Sequence, residues 1–252
     1  RVSQLGCARS PPAGSTAAPL AELLRPASLD EVGGQEALLG PEGRLRRMLD
    51  GGEMASIIFW GPPGTGKTTI ARLLAAEAGM AFEPVSAVFD GVADLRKIFA
   101  RAAERQAAGE RTLLFVDEVH RFNKAQQDGL LPWVEDGTVT LVGATTENPS
   151  FALNGALLSR AQVMVLERLS TGALESLLQR VETHRGAALP LDDEARAALL
   201  AMADGDGRYL LNMAASLATV SAERRLTPGE LADIVAARAP AFDRAGDQHY
   251  NL

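Results

Sequence analysis

Ile57-Ile58-Phe59-Trp60-Gly61-Pro62-Pro63-Gly64-Thr65-Gly66-Lys67-Thr68-Thr69 is the stretch on which the fold turns. Four apolar residues stop at a Gly/Pro run, and a 3.6-residue apolar period follows at Ile70, Ala71, Leu73 and Leu74. That order reads as strand, loop, helix. Residues 61–68 match G-x-x-x-x-G-K-[ST] in the context that gives the pattern its meaning. Glycines let a backbone fold round an anion, so that its N–H groups and the helix N-terminus face a phosphate. Lys67 then bridges the β- and γ-phosphates of a nucleotide, and Thr68 offers its hydroxyl to Mg²⁺. The competing reading, a chance glycine-rich turn, does not explain the strand before it and the helix after it.

Outward from this stretch, apolar runs alternate with helical patterns as far as Val165. Strands are predicted at residues 82–85, 112–116, 138–144 and 163–166, with helices at 92–108 and 125–135 and a turn at Asp136-Gly137. Together with 57–60 this predicts an α/β fold, a parallel five-stranded sheet flanked by helices. From Ser170 onward the strand-like alternation stops. Helices are predicted at 171–184, 192–203, 208–221 and 228–238, with start signals at Ser170, Asp192 and Thr227-Pro228. The expected organisation is a leader over 1–18, an α/β core over 19–168 and a small all-α domain over 169–240. Residues 241–252 would begin a further region. The absence of an initiator Met and the Arg/Ser/Pro-rich opening point to a fragment boundary.

Composition narrows the function classes. With 252 residues, 46% hydrophobic and 23% charged, the chain can bury a core, and neither a disordered nor a collagenous reading fits. Its apolar runs fall far short of the roughly 18 residues that cross a bilayer. The single Cys7 has no partner for a disulfide or a cysteine zinc site. No secretory block opens the chain, so a cytoplasmic, nucleoid-associated location is expected. The balance of 25 basic against 32 acidic side chains, net −7, excludes coating of nucleic acid by bulk charge. Any DNA contact needs a local patch or an assembled ring.

Leu113-Leu114-Phe115-Val116-Asp117-Glu118 is an apolar strand ending in two carboxylates, fifty residues beyond Lys67. The C-terminal ends of strands in a parallel sheet converge on the ligand crevice, so Asp117 can reach the Mg²⁺ shell. Glu118 would then orient and deprotonate the attacking water. Alone, an Asp-Glu pair reads as a solvated strand end; beside the phosphate loop it reads as machinery. On the bare residues Thr146 is equally a partner for the attacking water and an ordinary strand-end threonine. Arg160 and Arg208 read first as solvated arginines, with neutralisation of γ-phosphate charge as the functional alternative. His120 follows the carboxylates, but His184 and His249 lie far off, and it reads as a packing or hydrogen-bonding histidine. Arg44, Arg46 and Arg47 read as a solvated helix face.

The phosphate loop, the run Phe115 to Lys124 with Gln126-Gln127-Asp128, and Gly143-Ala144-Thr145-Thr146-Glu147-Asn148-Pro149-Ser150-Phe151 resemble an AAA+ ATPase, and most specifically the replication-associated recombination protein A family. The resemblance runs from about Pro19 to Leu252. It implies an ATP hydrolase with a small helical lid, acting on forked, gapped or single-stranded DNA at stalled replication forks. It implies ATP and Mg²⁺ as ligands, with Gly61 to Thr69 holding the phosphates. Arg25 and Gln35 would border the adenine. Thr146 would be the sensor-1 residue, Arg208 the sensor-2 arginine of the lid and Arg160 the arginine finger inserted into a neighbour. The family also implies a homo-oligomer, a tetramer at full length, and replication partners such as single-strand-binding protein. Gly33 and Tyr209 depart from the family pattern. A clamp-loader subunit and a branch-migration motor share the same core, and an ATP-gated binding module with little hydrolysis is the reading from another class.

Overall fold

The computed structural model describes residues 19–220 and 225–236; the leader 1–18 and the region 241–252 lie outside the described residues, as does the end of the predicted 228–238 helix. Short helices α1 (Leu20–Leu23), α2 (Glu36–Leu39) and α3 (Arg44–Asp50) precede strand β1 (Ile57–Trp60). Helix α4 (Lys67–Glu77), β2 (Ala81–Ser86), α5 (Val92–Ala107) and β3 (Thr112–Asp117) follow. Then come α6 (Lys124–Glu135), β4 (Thr140–Thr145), α7 (Pro149–Ala152), α8 (Gly155–Leu158) and β5 (Gln162–Val165). The five strands are all parallel, in the order β2-β3-β4-β1-β5.

The strand sequences explain the layers. Side chains alternate across a strand, and helices cover both faces, so the central strands are apolar throughout. Ile57, Phe59, Leu113 and Phe115 pack with Ile70, Ala71 and Leu74 of α4 on one face. Ile58, Leu114 and Val116 pack with Leu95, Ile98 and Phe99 of α5 on the other, where the Phe99 ring stacks on Trp133 at 4.7 Å. Pro84 is tolerated in β2 because that strand is the sheet edge, where an absent N–H breaks no ladder. In register, Trp60 stands beside Thr145 and Ser86 beside Asp117. The strand ends that carry Asp117 and Thr145 therefore open on the same side as the loop after β1.

Beyond β5 the chain is helical: α9 (Thr171–Arg185), α10 (Asp193–Ala203), α11 (Gly207–Leu217) and a helical stretch at 228–236. Ser170, Asp192 and Asp206 cap the three named helices through their side-chain oxygens. Leu174, Leu178, Leu199, Leu210, Met213 and Leu217 form a separate core. Leu24, just past α1, is buried in that second core, so the N-terminal segment lies against the helical domain. No helix among the described residues is long and apolar enough to cross a membrane.

One ion-pair cluster ties the helical domain together. Arg196 on α10 reaches Glu175 at 2.7 Å and Glu182 at 2.8 Å, both on α9. Its hydrogen bonds hold both carboxyls below the ordinary glutamate value of 4.5, against the upward push of partial burial. A depressed folded-state value means that the stabilisation is complete above the unfolded value and is lost as pH falls through the folded one. Arg196→Met therefore costs about 1–3 kcal/mol at neutral pH, and urea unfolding should show this deficit shrinking once the pH falls well below the ordinary glutamate value of 4.5. A deficit equal at both pH values would mean that the charges contribute nothing.

Candidate functional site

The loop between β1 and α4 owes its shape to close approaches. A Cβ at Gly61 would sit 2.2 Å from the carbonyl oxygen of Leu166, just past β5, so only glycine fits there. Gly64 has φ +69, and a Cβ on it would strike Asp206 Oδ1 at 1.8 Å. That second contact brings the helical domain onto the loop. The Gly207 N–H, at the first turn of α11, donates to the Gly64 carbonyl at 3.1 Å. Asp206 meanwhile accepts the Tyr209 N–H at 2.8 Å.

A cavity of about 270 Å³ lies between the two domains. Gly64, Thr65, Gly66, Lys67, Thr68 and Thr69 line it together with Asp117, Glu118 and Arg208, the last from the start of α11. Pro26, Val32, Leu169, Leu177 and Leu211 add an apolar wall to the same lining. Charged and polar groups together with apolar surface suit a ligand that is part polyanion, part flat ring. Gly33 belongs to that wall; a Cβ there would stand 3.9 Å from Ala173 Cβ, an ordinary contact. The space beside Gly33 is open enough for a larger side chain.

Lys67 is buried, 7% exposed, and its Nζ donates to the carbonyls of Gly61 at 2.8 Å and Pro62 at 2.7 Å. Burial pushes its ammonium below the ordinary lysine value, while the Glu118 and Asp117 carboxylates pull it back up. Thr65 Oγ1 also donates to Pro62, at 3.0 Å. The Lys67 ammonium and the Thr65 hydroxyl thus rest on the loop's own carbonyls. Arg25 donates to Thr69 Oγ1 at 3.1 Å and pairs with Glu22 at 2.5 Å, at the mouth of the cavity.

Glu118 follows the last residue of β3 in a left-handed conformation, φ 52 and ψ 44, which costs a residue with a Cβ about 1–3 kcal/mol. The cost is consistent with a side chain that must point one way. Thr68 and Asp117 supply a hydroxyl and a carboxylate to one cavity. That donor set fits Mg²⁺, which takes few protein oxygens and fills its shell with phosphate and water. Among the described residues no cluster of three or more His, Cys, Asp or Glu offers a competing metal site.

Not every expected residue lines the cavity. Gln35 is 4% exposed, and its amide donates to the Glu167 carbonyl at 2.8 Å while its carbonyl accepts the Glu167 N–H at 3.3 Å. It ties the segment after β5 to the N-terminal region and is not among the residues that line the cavity. Gly61 and Pro62 back the loop from behind and meet Lys67. Thr146 is exposed just beyond β4, and Arg160 lies past α8, 39% exposed. Arg160 reaches Glu135 at 2.5 Å, the Ala156 carbonyl at 2.8 Å and Ser159 Oγ at 3.0 Å. Sequence reasoning missed the Gly64–Gly207 bond and the contact of Arg180 with the Leu24 carbonyl at 3.0 Å, both made across long separations. His120 is hydrogen-bonded, as its isolation from other histidines foretold.

Comparison with known proteins agrees with this geometry. The model of the ATPase family associated with various cellular activities (AAA) matches residues 57–169, and that of an AAA C-terminal domain matches 184–252. Replication-associated recombination protein A of Escherichia coli K12 is 46% identical over 248 residues, covering 94% of this chain and 56% of that protein. The Haemophilus influenzae protein of the same name is 43% identical over 243 residues, covering 93% and 54%. The chain thus spans about half the length of these relatives. Among solved structures, the Thermotoga maritima RuvB Holliday junction branch migration motor superposes with a TM-score of 0.65 at 27% identity, covering 84% of this chain and 72% of that one. By these matches the chain belongs to the AAA+ ATPases, in the replication-associated recombination protein A family.

Proposed function

We propose that the chain is a magnesium-dependent ATP hydrolase that acts on DNA at stalled or gapped replication forks. The observation that carries this reading is the convergence of Lys67, Thr68, Asp117, Glu118 and Arg208 on one cavity that also has apolar lining. Lys67 leaves the Gly61 and Pro62 carbonyls for the β- and γ-phosphates, and the loop N–H groups take the remaining oxygens. Thr68 and Asp117 would hold Mg²⁺, which would supply neutralisation of phosphate charge when bound. Glu118 accepts a proton from the attacking water. Arg208, in the cavity lining, contacts the γ-phosphate and carries its state into α11; Thr146, outside that lining on the loop after β4, senses the γ-phosphate once that loop meets bound nucleotide. Arg160, which stands outside its own cavity, serves the site of a neighbouring subunit in a homo-oligomer.

The action on DNA is taken from the relatives. With a net charge of −7 the contact must be local. Titration of forked and single-stranded DNA across roughly 50–200 mM salt tests it: affinity should fall linearly in log–log form as phosphates are neutralised. Absence of binding to either DNA at low salt, in protein that hydrolyses ATP, would leave the ATPase reading intact and take DNA away from these residues. A second reading, a branch-migration motor, rests on the likeness to RuvB. Preference for a four-way junction over a fork in the same titration would favour it. A nucleotide-gated module that does not hydrolyse is opposed by Glu118 in the cavity, and a single-turnover assay with Mg-ATP separates the two.

A further inference from the structure

His120 is the most constrained polar side chain beside the cavity that the reading above leaves without a role. It lies in a 3₁₀ turn, Val119–Arg121, directly after Glu118, and its side chain is 4% exposed. Nδ1 is 3.0 Å from Oγ1 of Thr145, the last residue of β4. Nε2 is 3.3 Å from Glu118 Oε2 and 3.5 Å from Glu147 Oε1. Thr145 is wholly buried, and its Oγ1 also accepts the Glu147 N–H at 3.1 Å.

These contacts leave few arrangements of hydrogens. Ionised carboxylates only accept, so the ring nitrogen that faces Glu118 and Glu147 carries a hydrogen. In the neutral ring Nδ1 is then an acceptor, and the Thr145 hydroxyl is the donor that meets it. Hydrogen bonds run from the Glu147 N–H to Thr145 Oγ1 and from the Thr145 hydroxyl to His120, whose other ring nitrogen stands within ion-pair distance of Glu118. In the charged ring both nitrogens donate, and the Thr145 hydroxyl turns to the Glu147 carbonyl at 3.2 Å. Either way the imidazole joins the same two ends. One is the carboxylate read above as the general base, and the other is the loop that carries Thr146.

Glu118 is 34% exposed, so solvent leaves its carboxylate free to sample other rotamers unless something holds it. The buried ring, fixed at its far nitrogen by a buried hydroxyl, is the rigid group within reach. We propose that His120 is a positioning residue for hydrolysis: it sets the attitude of the Glu118 carboxylate and links it to the loop after β4, so that phosphate contact at that loop bears on the base. This rests on the reading of Glu118 as base.

The test compares single-turnover hydrolysis and ATP affinity in the whole chain, at a concentration where wild-type activity no longer depends on concentration. His120→Ala should slow turnover by about 10–100-fold, the range for losing a group that orients a reacting one, with ATP affinity retained. His120→Gln, whose amide N–H reaches toward the place of Nε2–H, should recover part of that loss. In a Glu118→Gln background, His120→Ala should bring no further loss. Turnover at the wild-type rate in folded His120→Ala, or a loss wholly in affinity, overturns the proposal. If His120→Ala does not fold, Thr145→Val decides: slower turnover at retained affinity supports the proposal and an unchanged rate refutes it. Glu118→Gln measured alone separates the two layers. If it still hydrolyses ATP, the base assignment falls with the proposal; if it is inactive and folded His120→Ala turns over at the wild-type rate, only the role of His120 falls.

Discussion

Arg160→Ala protein and Glu118→Gln protein, each unable to turn over ATP alone, should regain hydrolysis when mixed. The expectation comes from where Arg160 sits. Its guanidinium lies outside the cavity, paired with Glu135 and the Ala156 carbonyl, while Lys67, Asp117, Glu118 and Arg208 all line it. On the proposed reading, a cation placed there serves the triphosphate of a neighbouring subunit. Arginines that act so are worth about 10³–10⁵ in rate, whereas their loss need not disturb nucleotide binding. In a mixed assembly a subunit with intact Glu118 can sit beside one with intact Arg160, which makes one complete site. Phosphate release across mixing ratios measures this. Wild-type activity per subunit should also rise with concentration, because the monomer lacks its neighbour's arginine. Assemblies shown to be mixed that stay inactive, or wild-type activity flat with concentration, would remove the shared site.

Lys67→Ala should abolish protection by nucleotide. Two charge-assisted bonds now run from Nζ to the loop carbonyls, and both are exchanged for phosphate oxygens on binding. Hydrogen bonds to a charged partner are worth about 1.5–3 kcal/mol each, so losing two costs roughly 100-fold or more in affinity. The loss also leaves Asp117 and Glu118 facing the triphosphate without the buried cation between them. At ATP a hundredfold above its dissociation constant, the wild-type chain gains about 2.7 kcal/mol. For a chain of this size that raises the melting temperature by roughly 5–10 °C. The variant, melted at the same ATP concentration, should shift by almost nothing; an equal shift would show that the phosphates rest elsewhere.

Sequence made the strand-loop-helix unit legible because two signals there are local. Glycine spacing fixes the loop, and apolar runs of β-branched and aromatic residues mark β1 and β3. Asp117 and Glu118 were readable for the same reason, as polar residues ending a buried strand. Boundaries drifted where side chains took over from the ladder. Residues 138 and 139 were expected in β4, but Asp136 Oδ1 accepts the Thr138 N–H, Thr138 Oγ1 donates to Gln106, and the Val139 N–H turns to the Trp133 carbonyl. The strand therefore begins at Thr140. Helix α11 ends at Leu217 and not at 221, because the Thr219 and Val220 N–H groups close tight turns onto Ser216 and Leu217.

What sequence left hidden was contact between distant segments. Nothing in Gln35 announces that it will bond to Glu167, 132 residues away, and nothing in Leu24 announces that its carbonyl will meet Arg180. The four residues of α1 are too few to show a period. His120 and Thr145 are 25 residues apart on different elements, and only the parallel register of the strands brings their loops together. Gly207 stands just before the helix predicted from 208; its bond to Gly64, which seats the helical domain on the phosphate loop, is a tertiary fact.

Equilibrium dialysis of the folded chain against labelled ATP and magnesium tests the central claim most directly. The account predicts saturable uptake of a single nucleotide per chain, strengthened by magnesium and lost in Lys67→Ala. Well-folded protein that retains no label, or a Lys67→Ala variant that retains as much as the wild type, would contradict it.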